Sequence, residues 1–491
     1  MPLPAAARLS IEELCAKFEV ETGHGYHVAS LALRLFDGTH GLCGIPAEDR
    51  AVLEAACLLH DVGFSIDPRR HAEVGPGLVQ REKIAGFSIA QVEAVCVLIR
   101  VHGSGLRLEK ARLLTKRQPD PRRTLYLAAL LRLADALDSC HLQDAVVVSV
   151  RATKRRIRVG VRCAHFPQNV EAARQQASLW REAFPVDVDI RLVGGGPRPA
   201  LVGAAVPFVE AIRRLLFLHY RTMVINVEGA LAANSDEALH DLRIAIRRMR
   251  TVLKAFRGPL AGTSAERIER DLQQLNRILG IARDLDVWIG FFSRESVSRQ
   301  FTGHRLWGGF VAHQLEVRRL QQATVRRQLH GARFTALRIR IARFLRLELP
   351  RVASAGHQVP VAGPARQAVR KSLRQAMELG HLRRSRSPDK LHRLRIALRR
   401  VRYLGGFFGA ALGRPVRKLG RRAHALEGVL GEMRDADLAL ARIRQEGPTP
   451  PRLLVRQLDR LRQADSATVE NAWSRLQEPR FLLGLHRLLK R

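Results

Sequence analysis

Apolar residues recur at helical spacing along most of the chain. Ser10, with Glu13 three residues later, has capping-box spacing and predicts a helix start before IEELCAKF. Val28, Leu31 and Leu35 then recur at helical intervals, which places His24 and His27 on the opening turns of a second helix. Residues 48–61, EDRAVLEAACLLHD, predict a third, strongly apolar helix that ends on His60 and Asp61, with Gly63 as its stop. From Ala145 the period changes to two: AVVVSVRATKRRIRVGVRC and, further on, PVDVDIRLV predict a small sheet. GGGPRP at 194–199 reads as a linker. From 205 onward the pattern is helical throughout, with HGARFTALRIRIARFLRLELP ending at Pro350 and VASAGHQVPVAGPARQ as a second linker.

The helical part contains one phrase twice. LHDLRIAIRRMR begins at Leu239 and LHRLRIALRRVR at Leu391, 152 residues later. Both copies place Arg at +3, +7, +8 and +10 from a histidine: His240, Arg243, Arg247, Arg248 and Arg250, then His392, Arg395, Arg399, Arg400 and Arg402. At about 100° per residue, the histidine and the arginines at +3, +7 and +10 fall within roughly 80° of one another. Lys254 extends the stripe in the first copy. A separate apolar stripe is formed by Leu242, Ile246, Met249 and Leu253, and is repeated by Leu394, Leu398 and Val401. A second shared phrase follows each copy, LGIARDLD at 279–286 and LGEMRDAD at 430–437, adding Arg283 and Arg434. Its aspartates suit the orientation of arginines better than the binding of a metal.

Charge sharpens this picture. Residues 1–200 carry 27 Lys and Arg against 22 Asp and Glu; the remainder carries 56 against 24. Aligned cations repel unless carboxylates or a polyanion neutralise them, and the planar guanidinium fork suits phosphate oxygens. Aromatic residues make up only 5% of the chain, which disfavours a protein that stacks unpaired bases. The six cysteines, Cys15, Cys43, Cys57, Cys96, Cys140 and Cys163, show no CxxC spacing and read as free thiols in a reducing cytoplasm. With no signal-peptide pattern and no long apolar run, the expectation is a cytoplasmic protein without a membrane segment.

Residues 205–491 resemble the CHAD domain, the conserved-histidine α-helical domain, whose hallmark is two such His-and-Arg helices. The resemblance implies an all-α, internally duplicated bundle that binds inorganic polyphosphate along a basic groove or pore. It also implies that His240, Arg243, Arg247, Arg248, Arg250, Lys254, Arg283, His392, Arg395, Arg399, Arg400, Arg402 and Arg434 are the anion contacts. Halves at 205–350 and 365–491 follow.

Nearer the N-terminus, His24, His60, Asp61, His71, His102 and Asp135 lie at chain distances suited to a site assembled from several helices. An aspartate ending so apolar a helix is costly to bury without a cation, and imidazole with carboxylate suits Mn, Fe, Zn or Mg. The competing reading is a set of satisfied core histidines. GHGYHVASLALRLFDG, LEAACLLHDVGF, IRVHGSG and LLRLADALDSCH resemble the HD phosphohydrolase superfamily, and more closely the C-terminal part of the exopolyphosphatase/guanosine-pentaphosphate phosphatase family. That resemblance implies an α-helical HD domain over 1–143, closed by a small β-containing subdomain over 144–195. It implies His24, His60, Asp61 and Asp135 as divalent-metal ligands, with Asp61, His71 and His102 in catalysis. Ala72, Glu73 and Val74 stand where the family often has further histidines, and His27 falls outside its pattern. The family's actin-like catalytic domain would precede this region, where about twenty residues stand, so exopolyphosphatase activity is not carried over.

The expected function is therefore polyphosphate binding joined to a metal-dependent phosphohydrolase module, in the cytoplasm and at polyphosphate granules. The alternatives are a non-catalytic polyphosphate-binding or targeting protein with a regulatory HD scaffold, and a basic protein that binds nucleic acid nonspecifically at low salt. The basic turn of Arg151, Lys154, Arg155, Arg156 and Arg158 fits either a polyphosphate contact or a solvated hairpin tip.

Overall fold

A computed structural model describes residues 2–68, 70–102, 108–116, 118–139, 141, 143–153, 155–163, 168–177, 179–180, 186–193, 201–232, 236–292, 305–354, 359–385, 387–446 and 467–490. The chain forms two compact units, Met1–Pro199 and Ala200–Arg491. The 194–199 linker, Lys154 and Cys140 lie outside the described residues.

In the first unit the helices are α1 (Ala5–Lys17), α2 (Thr22–Asp37), α3 (His40–Cys43), α4 (Asp49–Leu59), α5 (His71–Glu82), α6 (Ile89–Val101), α7 (Leu108–Thr115) and α8 (Pro121–Leu137). They are followed by β1 (Ala145–Ala152), β2 (Arg156–Cys163), α9 (Gln168–Gln176) and β3 (Asp187–Leu192). Helix α1 starts five residues before Ser10, because the alanines after Pro4 are strong helix formers. Ser10 donates instead to the Lys83 carbonyl. The predicted capping box occurs elsewhere, between Ser88 and Gln91 at the start of α6. Pro121 occupies the first turn of α8, where a missing N–H breaks no helical bond, and Asp120 caps that helix.

The core of this unit includes Leu31, Leu35, Phe36, Leu53, Leu59, Tyr126 and Leu130, all almost completely buried. Arg123, near the start of α8, pairs with the buried Asp49 at the start of α4, which fixes those two helices at one end. Strands β1 and β2 form an antiparallel hairpin with a bulge between Val147 and Ser149, and β3 adds parallel to β2. Arg151, Arg155, Arg156 and Arg158 are exposed along the hairpin.

The second unit begins with α10 (Phe208–Ala232), α11 (Asp236–Ala255), α12 (Ala265–Phe292), α13 (Arg305–His330) and α14 (Ala332–Arg343). A π-helical turn over Phe344–Glu348 leads into α15 (Leu349–Ser354). Then come α16 (Ala362–Glu378), a 3-10 turn (Gly380–Arg384), α17 (Pro388–Leu412), α18 (Arg414–Glu446), α19 (residues 467–476) and α20 (Pro479–Lys490). The helix predicted to stop at Pro350 instead runs on: after the π turn, Pro350 is the second residue of α15, a position that needs no N–H.

The duplication is visible as two three-helix runs, α10–α11–α12 and α16–α17–α18, in which α11 touches α17 and α12 touches α18. The predicted apolar stripes are the core of the bundle: Leu242, Ile246, Met249, Leu253, Leu394, Leu398 and Val401 are each at most 3% exposed. Phe256 joins the runs, with its ring 5.0 Å from Phe208 and 5.7 Å from Phe408. Helices α17 and α18 approach closely at two glycines, Gly405 and Gly420. A Cβ on Gly405 would lie 2.7 Å from the Gly420 Cα, whereas one on the next residue, Gly406, meets nothing within 4 Å.

Gly405→Ala is therefore expected to destabilise the protein by about 1–3 kcal/mol, through displacement of one backbone by another. Gly406→Ala is expected to stabilise it by about 0.5–1 kcal/mol, since it removes helical glycine at no steric cost. Denaturant unfolding of the two variants, followed by circular dichroism, checks this; shifts of the same sign and size contradict it.

Candidate functional site

Five helix ends converge in the first unit. His24 lies in the first turn of α2, His60 and Asp61 directly follow α4, His71 opens α5, His102 directly follows α6, and Asp135 lies in the last turn of α8. Two glycines permit the convergence. A Cβ on Gly25 would lie 3.3 Å from the Leu58 carbonyl oxygen, so α2 passes close to α4. A Cβ on Gly63 would lie 2.5 Å from the His71 carbonyl oxygen, so the turn after Asp61 sits directly against the start of α5.

The imidazoles are oriented by their Nδ1 atoms. His60 Nδ1 donates to the Cys57 carbonyl at 2.7 Å, His102 Nδ1 to Ile99 at 2.6 Å, and His71 Nδ1 to Pro68 at 3.2 Å. His24 Nδ1 is held by the Asp138 carboxylate at 2.8 Å. A carbonyl oxygen can only accept, so the three backbone contacts place the proton of His60, His71 and His102 on Nδ1, and all four imidazoles turn Nε2 inward. There the Nε2 atoms meet in pairs, His24 with His60 at 3.2 Å and His71 with His102 at 3.2 Å. Two lone pairs at that distance repel unless a proton or a metal cation lies between or beside them.

Carboxylates surround these pairs. Asp135 Oδ1 is 3.3 Å from His24 Nε2 and 3.7 Å from His60 Nε2; Asp61 Oδ2 is 3.7 Å from His60 Nε2, and its Oδ1 is 3.4 Å from His71 Nε2. Burial disfavours a charged His24, but hydrogen bonds to Asp135 and Asp138 outweigh it and push its pKa up to about 10. Burial lowers the pKa of both His60 and His102. Although burial opposes ionisation of Asp135, the hydrogen bond from His24 and the neighbouring His60 and His102 hold it well below the usual carboxylate range. Three ligand sets have donor atoms within 4.8 Å of one another: His24, His60 and Asp135; His60, Asp61 and His102; and His24, Asp61 and His141. The donor set fits a divalent metal. All six residues singled out in the sequence meet here, and His27 contributes to none of the three sets.

Two members of the cluster are missing from the sequence reading. Asp138 orients His24, and His141 stacks on the His24 ring at 3.6 Å while its Nδ1 contacts Glu21 at 3.0 Å. Both stand in the same LADALDSCH phrase as Asp135, three and six residues on, and that spacing was the available signal.

In the second unit the histidine-arginine stripes lie on α11 and α17. Arg243 lies over Gly280 of α12 and Arg395 over Gly431 of α18: a Cβ on either glycine would come within 3.2 Å and 3.1 Å, respectively, of the guanidinium. This explains the Leu-Gly that opens both LGIARDLD and LGEMRDAD, since the glycine leaves room for the arginine of the first phrase. The charges of the two copies also meet. Arg399 of α17 acts on Arg243 of α11, and Asp284 of α12 acts on Asp435 of α18. Burial and the neighbouring Arg247, Arg283 and Arg399 bring the Arg243 pKa down to about 10, with Asp284 opposing. Burial and the nearby Arg434, Arg395 and Arg399 bring the His392 imidazole down to about 4; His240 shifts the same way through burial and Arg283.

The arginines divide into two groups. Glu427 binds Arg399 at 2.8 Å and Arg402 at 2.6 Å, and Glu269 binds Arg250 at 2.9 Å and Lys254 at 3.3 Å. Arg248 is half-buried with its guanidinium 5.7 Å from the Tyr403 ring centre, and Arg400 donates to Gln375. By contrast, among the described residues the buried Nε atoms of Arg243, Arg247, Arg283 and Arg395, and Nδ1 of His392, have no hydrogen-bond partner. The nearest carboxylates to the first and last of these arginines are at 3.8 Å (Asp284) and 4.0 Å (Glu427). Arg434 adds its charge beside His392.

The CHAD domain model matches residues 214–444 and 381–491, and the model for Ppx/GppA phosphatase, domain III, matches residues 7–175. Among solved structures, the chain is similar to the CHAD domain from the plant Ricinus communis, at 20% identity over 60% of this chain and 97% of that one, with a TM-score of 0.44. It is also similar to PptA from Streptomyces chartreusis, at 17% identity over 55% and 98% of the two chains, with a TM-score of 0.37. With more than half of its length matched, including both His-Arg helices, this chain belongs to the CHAD domain family.

Proposed function

We propose that the protein binds inorganic polyphosphate on the surface formed by α11 and α17, and that its N-terminal cluster holds a divalent metal for hydrolysis of phosphate esters or anhydrides. The observation that carries the first part is the set of buried guanidinium Nε atoms without a hydrogen bond on Arg243, Arg247, Arg283 and Arg395. A buried donor without an acceptor costs about 1–3 kcal/mol, and phosphoryl oxygens supply both acceptor and countercharge. His240, His392, Arg399 and Arg434 complete the contact set. Among the described residues, no helix is long and apolar enough to cross a membrane.

His24, His60 and Asp135 would hold the metal, with Asp61 shared toward His102. A divalent ion there supplies Lewis acidity and lowers the pKa of water. The protein's own residues define the approach. Asp135 and His71 are the most open members, with side chains 28% and 22% exposed, so substrate enters on their side. His71, its Nδ1 tied to Pro68, presents Nε2 to that opening and serves as the proton acceptor or donor. Attachment to the polymer through the helical unit raises the local substrate concentration without added catalytic contacts.

Asp61→Ala is expected to abolish hydrolysis of long polyphosphate in the presence of Mn while leaving polymer binding unchanged; loss of both together contradicts the division of labour. Asp138→Ala, which removes the support of His24 together with the acceptor of the Gln143 N–H, is expected to weaken Mn binding about 10–100-fold, measured by titration calorimetry. Unchanged affinity removes His24 from the ligand set. Polyphosphate affinity is expected to rise as the pH falls from about 7 to about 5. The reason is that the free His392 pKa of about 4 must increase beside a polyanion, so binding takes up a proton. A flat profile in the wild type, or one unaltered by His240→Ala/His392→Ala, contradicts the placement of the polymer.

A further inference from the structure

The bundle contains a cavity of about 590 Å³ between α11, α12, α16 and α17. Position +14 from the histidine, Lys254 in the first copy, is Gly406 in the second. Its floor is apolar and closed: Leu253, Ala265 and Leu404 are each at most 3% exposed. Set into this floor is Ser372, 5% exposed, whose Oγ is buried and has no hydrogen-bond partner among the described residues. Beside it, Gln375 carries Arg400 on its side-chain oxygen.

The mouth has the opposite character. Arg257, Arg270 and Lys371 stand exposed around it, and Lys254 and Arg400 line the wall. Two carboxylates face these five cations. Glu266 pairs with Arg257, while Glu269 is shared between Lys254 and Arg250. Arg270, Lys371 and Arg400 have no carboxylate within ion-pair distance among the described residues, so the mouth keeps a net positive charge. The volume lies in the range of small-molecule sites, and the order is apolar floor, buried hydroxyl and amide, then cationic rim.

We propose that this cavity is a second site, separate from the polymer-binding surface, for a small molecule with a flat apolar body and two or more phosphoryl groups, the class of the nucleoside diphosphates. The body enters first and stacks on Leu253 and Leu404, and its polar edge meets Ser372 and Gln375. The phosphoryl groups remain at the rim with Arg270, Lys371 and Arg400. Lys254 and Arg400 thus serve this cavity in place of the polymer stripe that their spacing suggests.

The test is titration calorimetry of the full chain with ADP, without metal, at about 0.15 M salt. Expected is one ADP per chain, with affinity unchanged in Arg243→Ala/Arg395→Ala and weakened about tenfold or more in Arg270→Ala/Lys371→Ala. Ala368→Phe, which fills the cavity from a half-buried position without altering charge, is expected to eliminate binding. Arg270 and Lys371 are exposed, so their replacement decides the matter even where the filled cavity weakens the bundle. Absence of ADP binding overturns the proposal, as does binding that survives either cavity variant. Loss of ADP in the Arg243→Ala/Arg395→Ala variant also overturns it, by assigning the nucleotide to the polymer surface. None of these failures touches the polyphosphate reading, which rests on other residues.

Discussion

Like charges packed together under partial burial are the constraint on which the second unit is built. Two unit charges a few ångströms apart near a protein surface repel by about 3–4 kcal/mol, and on the two facing helices Arg247 and Arg399 both act on Arg243. The fold meets part of this cost from inside. Glu427 and Glu269 each hold two cations at one end of a stripe, Tyr403 receives Arg248 and Arg402 near its ring face, and Gly280 and Gly431 give Arg243 and Arg395 space to lie flat. The apolar stripes hold the helices in place regardless of that repulsion. What remains is a group on the duplicated surface, Arg243, Arg247, Arg283 and Arg395, whose Nε atoms have no hydrogen-bond partner among the described residues.

The first unit solves the inverse problem with the same economy of parts. Four imidazoles have their Nδ1 atoms tied, three of them to the carbonyl three residues earlier, so four Nε2 atoms point into one space. Aspartates border that space, and each Nε2 pair is favourable only with a proton or a metal cation between or beside its members. One unit therefore concentrates positive charge and the other concentrates electron-pair donors, as the proposed binding of a phosphate chain and of a metal ion requires.

Much of this is legible in the sequence. The stripe of His240, Arg243 and Arg247 and its repeat at His392, Arg395 and Arg399 follow from helical geometry, and the buried stripe of Leu242, Ile246 and Met249 follows from the same geometry. His24, His60, Asp61, His71, His102 and Asp135 come from five helix ends and no local period connects them, so their grouping rests on chain distances, their ligand chemistry and a resemblance to a known pattern. Glu269 and Glu427 were illegible: a single carboxylate on a neighbouring helix has no spacing signal, and its pairing depends on how two helices dock. Asp138 and His141 were hidden by the greater prominence of Asp135. Pro350 misled because a π turn just upstream resets the helix, and the alanines before Ser10 extended a helix that its capping spacing had placed later.

The most direct test of the central claim is a crystal structure of the protein grown with a short polyphosphate chain. The account predicts phosphoryl oxygens within hydrogen-bond distance of Nε on Arg243, Arg247, Arg283 and Arg395, with the chain crossing from α11 to α17. A chain bound only by exposed surface arginines, with those four Nε atoms still lacking partners, would contradict it.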